Sequence, residues 1–326
     1  MQPIVIVSGS RTAMGSFQGS LSSLTAPELG AAVIRESLQR AGVQADQVDE
    51  VIMGCVLPAG LKQGPARQAM RLAGLPDHVG ATTINKICGS GMKAVMQAAD
   101  AIKAGSADIV VAGGMESMSN APYLMPKARA GFRMGHGEVK DHMFLEGLED
   151  AETGREVIIV TLRPAFAKDG TITAANASSI SDGASAMLVM TEENAQQRGL
   201  TPLAKIVAYA SHSQHPSEFT IAPVGAIEKV LKKAGWNAAE VDLWEINEAF
   251  AMVTMAAIDA FELDVEKVNI HGGACALGHP LGSSGSRIIL SLIYALKRTG
   301  KRKGIAALCI GGGEATAIRG ISFFIF

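Results

Sequence analysis

The residues that could do nucleophilic chemistry lie where short apolar runs end in glycine-rich turns. Cys88 opens the sequence Cys-Gly-Ser-Gly, at the point where an extended segment gives way to a predicted helix. A helix N-terminus offers free N–H groups and a positive dipole end, which favour a thiolate, and the glycines leave room for an incoming acyl group. Most free cysteines are small buried hydrophobes, so it is this glycine context that makes Cys88 a candidate nucleophile.

Three further motifs could move protons or hold an oxyanion. His279 lies between a glycine and a proline, in a turn that leads into a helix and suits a base, although a His-Pro pair is more often surface punctuation. Cys309 lies near the end of a predicted strand that opens into a glycine turn starting at Gly311, whose N–H groups could hold an oxyanion, although Cys309 alone would be a core residue. Asn247 stands at a strand-to-helix junction, where an N-cap is the default explanation.

The elements that must position these residues alternate along the chain. Apolar runs predict strands, and segments with helical spacing of Leu, Ile, Val, Met and Ala predict helices. The predicted strands are 4–7, 51–55, 108–112, 186–190, 206–208, 243–246 and 305–310. The predicted helices are 27–41, 89–104, 224–234, 247–261 and 284–297. This alternation predicts an α/β fold with parallel sheets covered by helices.

Two stretches of the chain repeat in the same order. Residues 35–49 match residues 228–242 in their Ala-Gly and Val-Asp pairs, and 109–114 match 307–312. The repetition predicts two copies of one α/β unit, with chance similarity of helix ends as the alternative. We expect an N-terminal half at residues 1–118 that is completed by about 180–202, and a C-terminal half at 203–326. Residues 119–179, which lack a clear period, are expected to form a loop region over the sheet and part of a ligand pocket.

Composition excludes several classes of protein. The 326 residues are 48% hydrophobic and carry a net charge of −2, so the chain can bury a full core and has no feature of a protein that binds nucleic acid or an anionic membrane. Its four cysteines are too few and scattered for a disulfide framework or a paired-cysteine zinc site. The N-terminus has no basic leader and no membrane-spanning apolar stretch. We therefore expect a cytoplasmic protein.

The four motifs together resemble the thiolase family. The Cys-Gly-Ser-Gly, Asn-Glu-Ala-Phe, Gly-His-Pro and Cys-x-Gly-Gly-Gly motifs occur in the family's order, and the similarity runs over nearly the whole chain, including 113–119 and 176–178. The resemblance implies a layered α-β-α-β-α sandwich of duplicated units, with a loop region. It also implies an acyltransferase that interconverts two acetyl-CoA with acetoacetyl-CoA and coenzyme A through an acyl-cysteine. Acyl-CoA and CoA would be substrates, no further cofactor or metal would be needed, and a homodimer or homotetramer would form.

The resemblance also implies a role for each site residue. Cys88 would accept the acyl group, while His279 would activate it and line an oxyanion site with a water held by Asn247. Cys309 would exchange a proton with the α-carbon during Claisen condensation or its reverse. The N–H groups of Cys88 and Gly311 would form a second oxyanion hole. Ser178 matches a position near the pantetheine arm of coenzyme A. These roles fit the need of a thioester for a soft nucleophile and of carbon–carbon bond formation for a second proton carrier.

The chain departs from the family in two places. Around residues 152–166 several dozen family residues are absent, together with the His-Met-Gly motif that lines the acyl pocket. The absent residues would carry much of the surface that grips the CoA nucleotide and joins dimers into tetramers. At the C-terminus, the expected last strand is replaced in part by residues 318–326, which puts an arginine in a strand and ends on an apolar tail.

Other functions remain as alternatives. A longer-chain 3-ketoacyl-CoA thiolase is a close variant, and a thiolase-like protein impaired by its shortened loop region is a more distant one. A condensing ketoacyl synthase is disfavoured, because those enzymes have a histidine at the position of Cys309. A nucleotide-binding oxidoreductase is weaker still, because the glycines after Cys309 lack the helix and acidic residue of a dinucleotide fingerprint.

Overall fold

The fold was analysed in a computed structural model that describes residues 2–151 and 176–322. The predicted junction at 152–162 and the end of the apolar tail, 323–326, lie outside the described residues. The predicted division into halves and loop region stays a prediction at its exact boundaries.

Within the described residues the chain forms twelve strands, and every strand predicted from the sequence is present. The strands are β1 (Ile4–Arg11), β2 (Gly15–Ser16), β3 (Glu50–Gly54), β4 (Gly80–Ile84), β5 (Ile109–Ser117), β6 (Tyr123–Leu124), β7 (Lys140–Asp141), β8 (Ser181–Thr191), β9 (Ala204–Ser213), β10 (Leu243–Ile246), β11 (Lys303–Ile310) and β12 (Glu314–Ser322).

The same described residues contain eight α-helices. They are α1 (Ala26–Ala41), α2 (Pro65–Leu72), α3 (Ser90–Ala104), α4 (Glu192–Gln197), α5 (Ala222–Ala234), α6 (Ala251–Phe261), α7 (Ala274–Leu277) and α8 (Leu281–Thr299). Local sequence explains their ends. For example, α1 begins with a capping box of Thr25 and Glu28 and ends at Gly42, whose φ of 65° is a left-handed conformation that glycine adopts without strain.

The strands confirm the predicted duplication. One ten-stranded sheet has the order β10-β11-β12-β9-β1-β8-β5-β3-β4, with β2 beside β8. From β1 outward the order is β1-β8-β5-β3-β4, and from β9 outward it is β9-β12-β11-β10. In both halves the first two pairings are antiparallel and the next is parallel. A parallel bridge from Trp244 to Val268 stands where β4 stands in the other half.

The helices complete five layers. Helices α1 and α2 pack on the outer face of the N-terminal strands, and α5 packs on the outer side of the C-terminal strands with α6 beside it. Between them, α3 and α8 pack against each other and contact strands of both halves. The strands β5 and β8 are buried along nearly their whole length, as expected for strands that are covered on both faces.

The structure corrects four expectations. The sheet was expected to be parallel, but it is mixed: β5, β8 and β1 pair antiparallel, as do β9, β12 and β11. Short connections such as the turn between β11 and β12 join antiparallel strands, and the alternation of strands and helices does not record them. The predicted helix 247–261 begins only at Ala251, so Asn247 is not its N-cap. The region after residue 118 was expected to contain no sheet element, but β6 and β7 pair in a small separate sheet, followed by a π-helix at Met143–Leu148. The sequence pattern also predicted neither α2 nor β4. In β4 the alternation of apolar and polar residues is weak, because it is a short, partly exposed edge strand.

The altered last strand, with its arginine, is present as β12. Strand β12 pairs with both β11 and β9 over its length. Arg319 is buried within it, stacks on the ring of Trp236 and donates a hydrogen bond to the carbonyl oxygen of Ala234 at 3.1 Å. A guanidinium on an aromatic face with a carbonyl partner can be buried in a strand, which explains why this arginine does not end it.

Candidate active site

The nucleophile candidate Cys88 lies in the turn between β4 and α3. The turn places Ile87 at a φ of 46°, and α3 begins two residues after Cys88. The N–H groups of Gly311 and of Cys88 itself are directed at the thiol. Burial nevertheless raises the pKa of the thiol to about 11, because the charged form loses its solvation and the two N–H groups compensate only in part. Cys88 therefore lies just before a helix, as the sequence predicted. Its buried environment favours the neutral thiol over the thiolate.

His279 lies immediately before α8 and is fully enclosed. Its Nδ1 is 2.6 Å from the hydroxyl of Ser284, and that hydroxyl donates to the carbonyl oxygen of Pro280 at 3.0 Å. Since a hydroxyl has one hydrogen, Nδ1 is assigned as the donor, and the lone pair of the neutral ring is on Nε2. Burial, helped by the charge of Arg287, lowers the pKa of His279 to about 3. His279 is thus a neutral imidazole with its basic nitrogen free of protein partners among the described residues.

Cys309 is the penultimate residue of β11 and is buried. Burial raises the pKa of its thiol well above the usual range, and the nearby Cys88 adds to the effect. The turn that follows contains Gly311, whose N–H faces the Cys88 sulfur. The sequence prediction of a strand end that opens into a glycine turn is confirmed, and the turn brings two thiols close together.

Asn247 continues the line of β10, where its N–H donates to the carbonyl oxygen of Ala307 at 3.0 Å. Its side-chain Oδ1 accepts a hydrogen bond from Nη2 of Arg287 at 3.1 Å. The Nδ2 atom of Asn247 is buried and has no hydrogen-bond partner among the described residues. The NH2 group of the amide is therefore available as a donor, as an oxyanion site requires.

One open cleft of about 710 Å³ joins the predicted residues. Cys88, His279, Cys309 and Gly311 all line it, at the carboxyl ends of β4 and β11. Asn247 is buried and is not among the residues that line the cleft. Ser178 is also separate. It lines a neighbouring pocket of about 380 Å³.

Ser178 is nevertheless tied to the cleft wall. Both its N–H and its hydroxyl donate to the carbonyl oxygen of Ala249, at 3.0 and 3.1 Å. Ala249 and Phe250 line the large cleft. The structure therefore places Ser178 on the far side of a wall segment of the cleft, and its contact with a ligand stays a prediction.

Glu116 is the buried residue that the sequence reasoning missed. It lies on β5 and accepts hydrogen bonds from the N–H groups of Val56, Leu57 and Gly282, at 3.0, 3.1 and 2.8 Å. Burial outweighs these bonds and raises the pKa of its carboxyl group to about 7. Glu116 thus joins the segment after β3 to the start of α8, next to His279. Its position inside the Gly-Gly-Met-Glu motif was the signal available in the sequence.

Comparisons with known proteins agree with this geometry. The family model "Thiolase, N-terminal domain" matches residues 4–160 and 158–193, and "Thiolase, C-terminal domain" matches residues 200–319. The chain is 43% identical to the acetyl-CoA acetyltransferase of Pseudomonas aeruginosa and 44% identical to that of Escherichia coli K12. These alignments cover 98% of this chain and 99% and 98% of those proteins. The crystal structure of the Bacillus anthracis acetyl-CoA acetyltransferase superposes with a TM-score of 0.95, at 36% identity and 99% coverage of both chains.

The chain belongs to the thiolase family. Its alignment with the Pseudomonas protein spans 388 positions although this chain has 326 residues, so the relative has several dozen residues that are absent here. The N-terminal family match is interrupted at residues 158–160, inside the region where the sequence predicted the shortening.

The described residues show neither a metal site nor a membrane span. No group of three His, Cys, Asp or Glu side chains in residues 2–151 and 176–322 could hold a metal ion. No helix in that part of the chain is long and apolar enough to cross a membrane.

Proposed function

We propose that this chain is an acetyl-CoA acetyltransferase, which interconverts two acetyl-CoA with acetoacetyl-CoA and free CoA through an acetyl-cysteine. The observation that carries the proposal is one cleft lined by two thiols and a neutral histidine, with two backbone N–H groups directed at one of the sulfurs. The relatives named above carry the same activity in their names.

The first half reaction transfers an acetyl group to Cys88. Its Sγ attacks the thioester carbonyl carbon as His279 Nε2 takes the thiol proton, because neither partner ionises on its own in this buried site. The N–H groups of Cys88 and Gly311 hold the developing oxyanion. The carbon–sulfur bond to CoA then breaks, and the departing sulfur takes a proton from Cys309. Acetyl-Cys88, an imidazolium and a Cys309 thiolate remain.

The second half reaction forms the carbon–carbon bond. The Cys309 thiolate removes a proton from the methyl carbon of a second acetyl-CoA, and the enolate oxygen is stabilised by the His279 imidazolium and by a water held by Asn247. The methyl carbon attacks the acetyl carbonyl carbon, and Cys88 leaves. Cys88 takes its proton back from His279, so that all three groups return to their resting protonation states and acetoacetyl-CoA is released.

The direct test is thiolytic cleavage of acetoacetyl-CoA by the purified chain. We expect acetyl-CoA to form at the expense of free CoA, and expect Cys88→Ala to remove the activity. Absence of acetyl-CoA formation, with acetoacetyl-CoA and CoA both bound, would contradict the proposal. The same assay with a longer 3-ketoacyl-CoA tests the longer-chain alternative.

We further propose that the chain works in the cytoplasm as a homodimer or homotetramer and that the reaction needs no cofactor besides the CoA thioesters. Strand β4 supports self-association, because it forms one edge of the sheet and its residues are exposed or half-buried. An open edge can pair with a second copy. Light scattering on the purified protein tests the assembly, and a monomer at micromolar concentration would contradict it.

A further inference from the structure

A buried arginine of α8, Arg287, contacts the side chain of Asn247. The Arg287 side chain is 1% exposed. Its Nη2 donates to Oδ1 of Asn247 at 3.1 Å, and its Nη1 lies 3.9 Å from Oε2 of Glu245, which is itself buried. Burial of a guanidinium with one ion-pair partner carries a large desolvation free energy, which indicates a role for Arg287 beyond packing.

The contact with Arg287 decides which way the Asn247 amide faces. A guanidinium has only N–H donors, so the atom of Asn247 that it contacts must be the carbonyl oxygen. The opposite amide orientation would place two sets of N–H donors against each other. The Nδ2 donor is therefore turned away from Arg287, and it stays without a protein partner among the described residues.

Arg287 also connects Asn247 to His279. Both Asn247 Nδ2 and His279 Nε2 are buried and unpartnered among the described residues. The two side chains come from different elements of the C-terminal half. Asn247 follows the end of β10, and His279 precedes the start of α8. Arg287 lies on α8 and reaches back to β10, so it fixes the distance between the elements as well as the amide.

We propose that Arg287 is a positioning residue that orients the Asn247 amide so that its N–H group serves the oxyanion site shared with His279. The inference rests on the proposed function and deepens it. Arg287 touches no substrate. Its effect is carried by Asn247, and it should therefore alter the turnover of the Claisen step more than the binding of acetyl-CoA.

The test is a mutant cycle in which no buried charge is left alone. Arg287→Gln is combined with Glu245→Gln, and this neutral pair is measured with and without Asn247→Ala. We expect the neutral pair to lower kcat for acetoacetyl-CoA synthesis by about tenfold or more, the scale of one lost oxyanion donor, with KM changed less than about twofold. In the Asn247→Ala background the same pair should change kcat less than about threefold. Losses that multiply would overturn the proposal, because Arg287 would then act independently of Asn247.

Two further measurements keep the test decisive. If the neutral pair does not fold, as judged by circular dichroism, Arg287→Lys replaces it in the cycle, since it keeps a cation beside Glu245 but loses the planar donor pair. A crystal structure of the folded variant gives a result that does not depend on turnover. The Asn247 amide should leave its wild-type orientation, and an unchanged amide would overturn the proposal. A wild-type chain without turnover would instead contradict the proposed function alone.

Discussion

At the scale of single residues, the site combines two groups that are both neutral at rest. Burial raises the pKa of Cys88 and lowers that of His279, so an ion pair between them is disfavoured until a substrate is present. A thiol that ionises only during attack is protected from oxidation, which requires the thiolate. Burial thus keeps Cys88 as an unreactive thiol until a thioester is bound.

The first prediction concerns the covalent intermediate. Mixing the chain with acetyl-CoA should add one acetyl group to the peptide that contains Cys88. Two backbone N–H groups face the Cys88 sulfur, where they can stabilise the oxyanion of the tetrahedral intermediate. Peptide mass spectrometry is the measurement. Cys275→Ser is the matched control, since that thiol lines the neighbouring pocket and should not affect labelling. Labelling confined to Cys309 or Cys55 would show that the nucleophile is wrongly assigned.

The second prediction concerns Glu116 and pH. Its pKa rises from the ordinary 4.5 to about 7 in the folded protein, so the folded state binds this proton more tightly than the unfolded state does. The stability that it contributes is present below about pH 4.5 and is lost as the pH rises through about 7. Relative to Glu116→Gln, the wild type should lose on the order of 3 kcal/mol of unfolding free energy over that range.

Urea unfolding of both proteins at a series of pH values measures this difference. Glu245, whose pKa is also raised to about 7, titrates equally in both proteins and cancels from the comparison. Parallel stability curves for the two proteins would mean that Glu116 does not change its protonation on folding.

At the scale of elements, the starts of α3 and α8 carry the site and touch backbone to backbone. A Cβ added at Gly91 of α3 would lie 2.8 Å from the backbone nitrogen of Ser286 in α8, and one added at Gly285 would meet the backbone nitrogen of Met92. No side chain fits between the two helices at these points. This contact fixes Cys88, which precedes α3, relative to His279, which precedes α8.

The third prediction follows from that contact. Gly91→Ala should lower the unfolding free energy by about 1–3 kcal/mol, because the added methyl group forces the helices apart. Helix propensity alone would stabilise the same substitution by up to about 1 kcal/mol, so the sign separates the two effects. The temperature of thermal unfolding and the thiolase activity should both fall.

Gly80→Ala is the control for this substitution. Its added Cβ would have no neighbour closer than 3.6 Å, and its φ is not left-handed, so stability and activity should change little. If Gly91→Ala were as stable as the wild type and equally active, the close packing of α3 and α8 would not be what sets the site geometry.

At the scale of the whole molecule, the chain is shorter than its relatives, and the cleft has an acidic lining. The residues that line the cleft on its outer side include Glu146, Glu149 and Asp150, and no lysine or arginine is among the described lining residues. Coenzyme A carries several phosphate charges, and carboxylates nearby disfavour them. Relatives have several dozen residues that are absent here, and the family match is interrupted about ten residues after Asp150 in the sequence.

The fourth prediction is that the shortening weakens CoA binding more than it slows the chemical step. The four catalytic motifs lie outside 152–162, on strand and helix ends whose positions depend on the two α/β units. The lost contacts would have been the same in the ground and transition states, so their loss should raise KM and leave kcat nearly unchanged. Steady-state kinetics are compared between this chain and a version with a full-length family loop region grafted at Arg155. Equal KM values with a much lower kcat in the short chain would show that the missing residues position catalytic groups.

The sequence by itself determined the α/β class, the duplication of one unit and the places of Cys88, His279 and Cys309, while the order and direction of the strands came from the fold. These properties follow from local rules, because apolar periodicity defines strands and helices, and glycine turns at strand ends occur where backbone must approach closely. The same local rules missed β4, whose alternation is weak, and extended α6 back to Asn247, whose extended backbone is set by its hydrogen bond to β11.

Tertiary structure alone decided the chemistry of those residues. The protonation of Cys88, His279 and Glu116 depends on desolvation by elements far away in the chain, which no local pattern records. The orientation of the Asn247 amide depends on Arg287 in another element. The sequence placed Arg319 in the last strand, but only the fold provides its partner, the aromatic face of Trp236. Burial and long-range partners arise only when the chain is folded, so they determine charge and orientation while the sequence determines position.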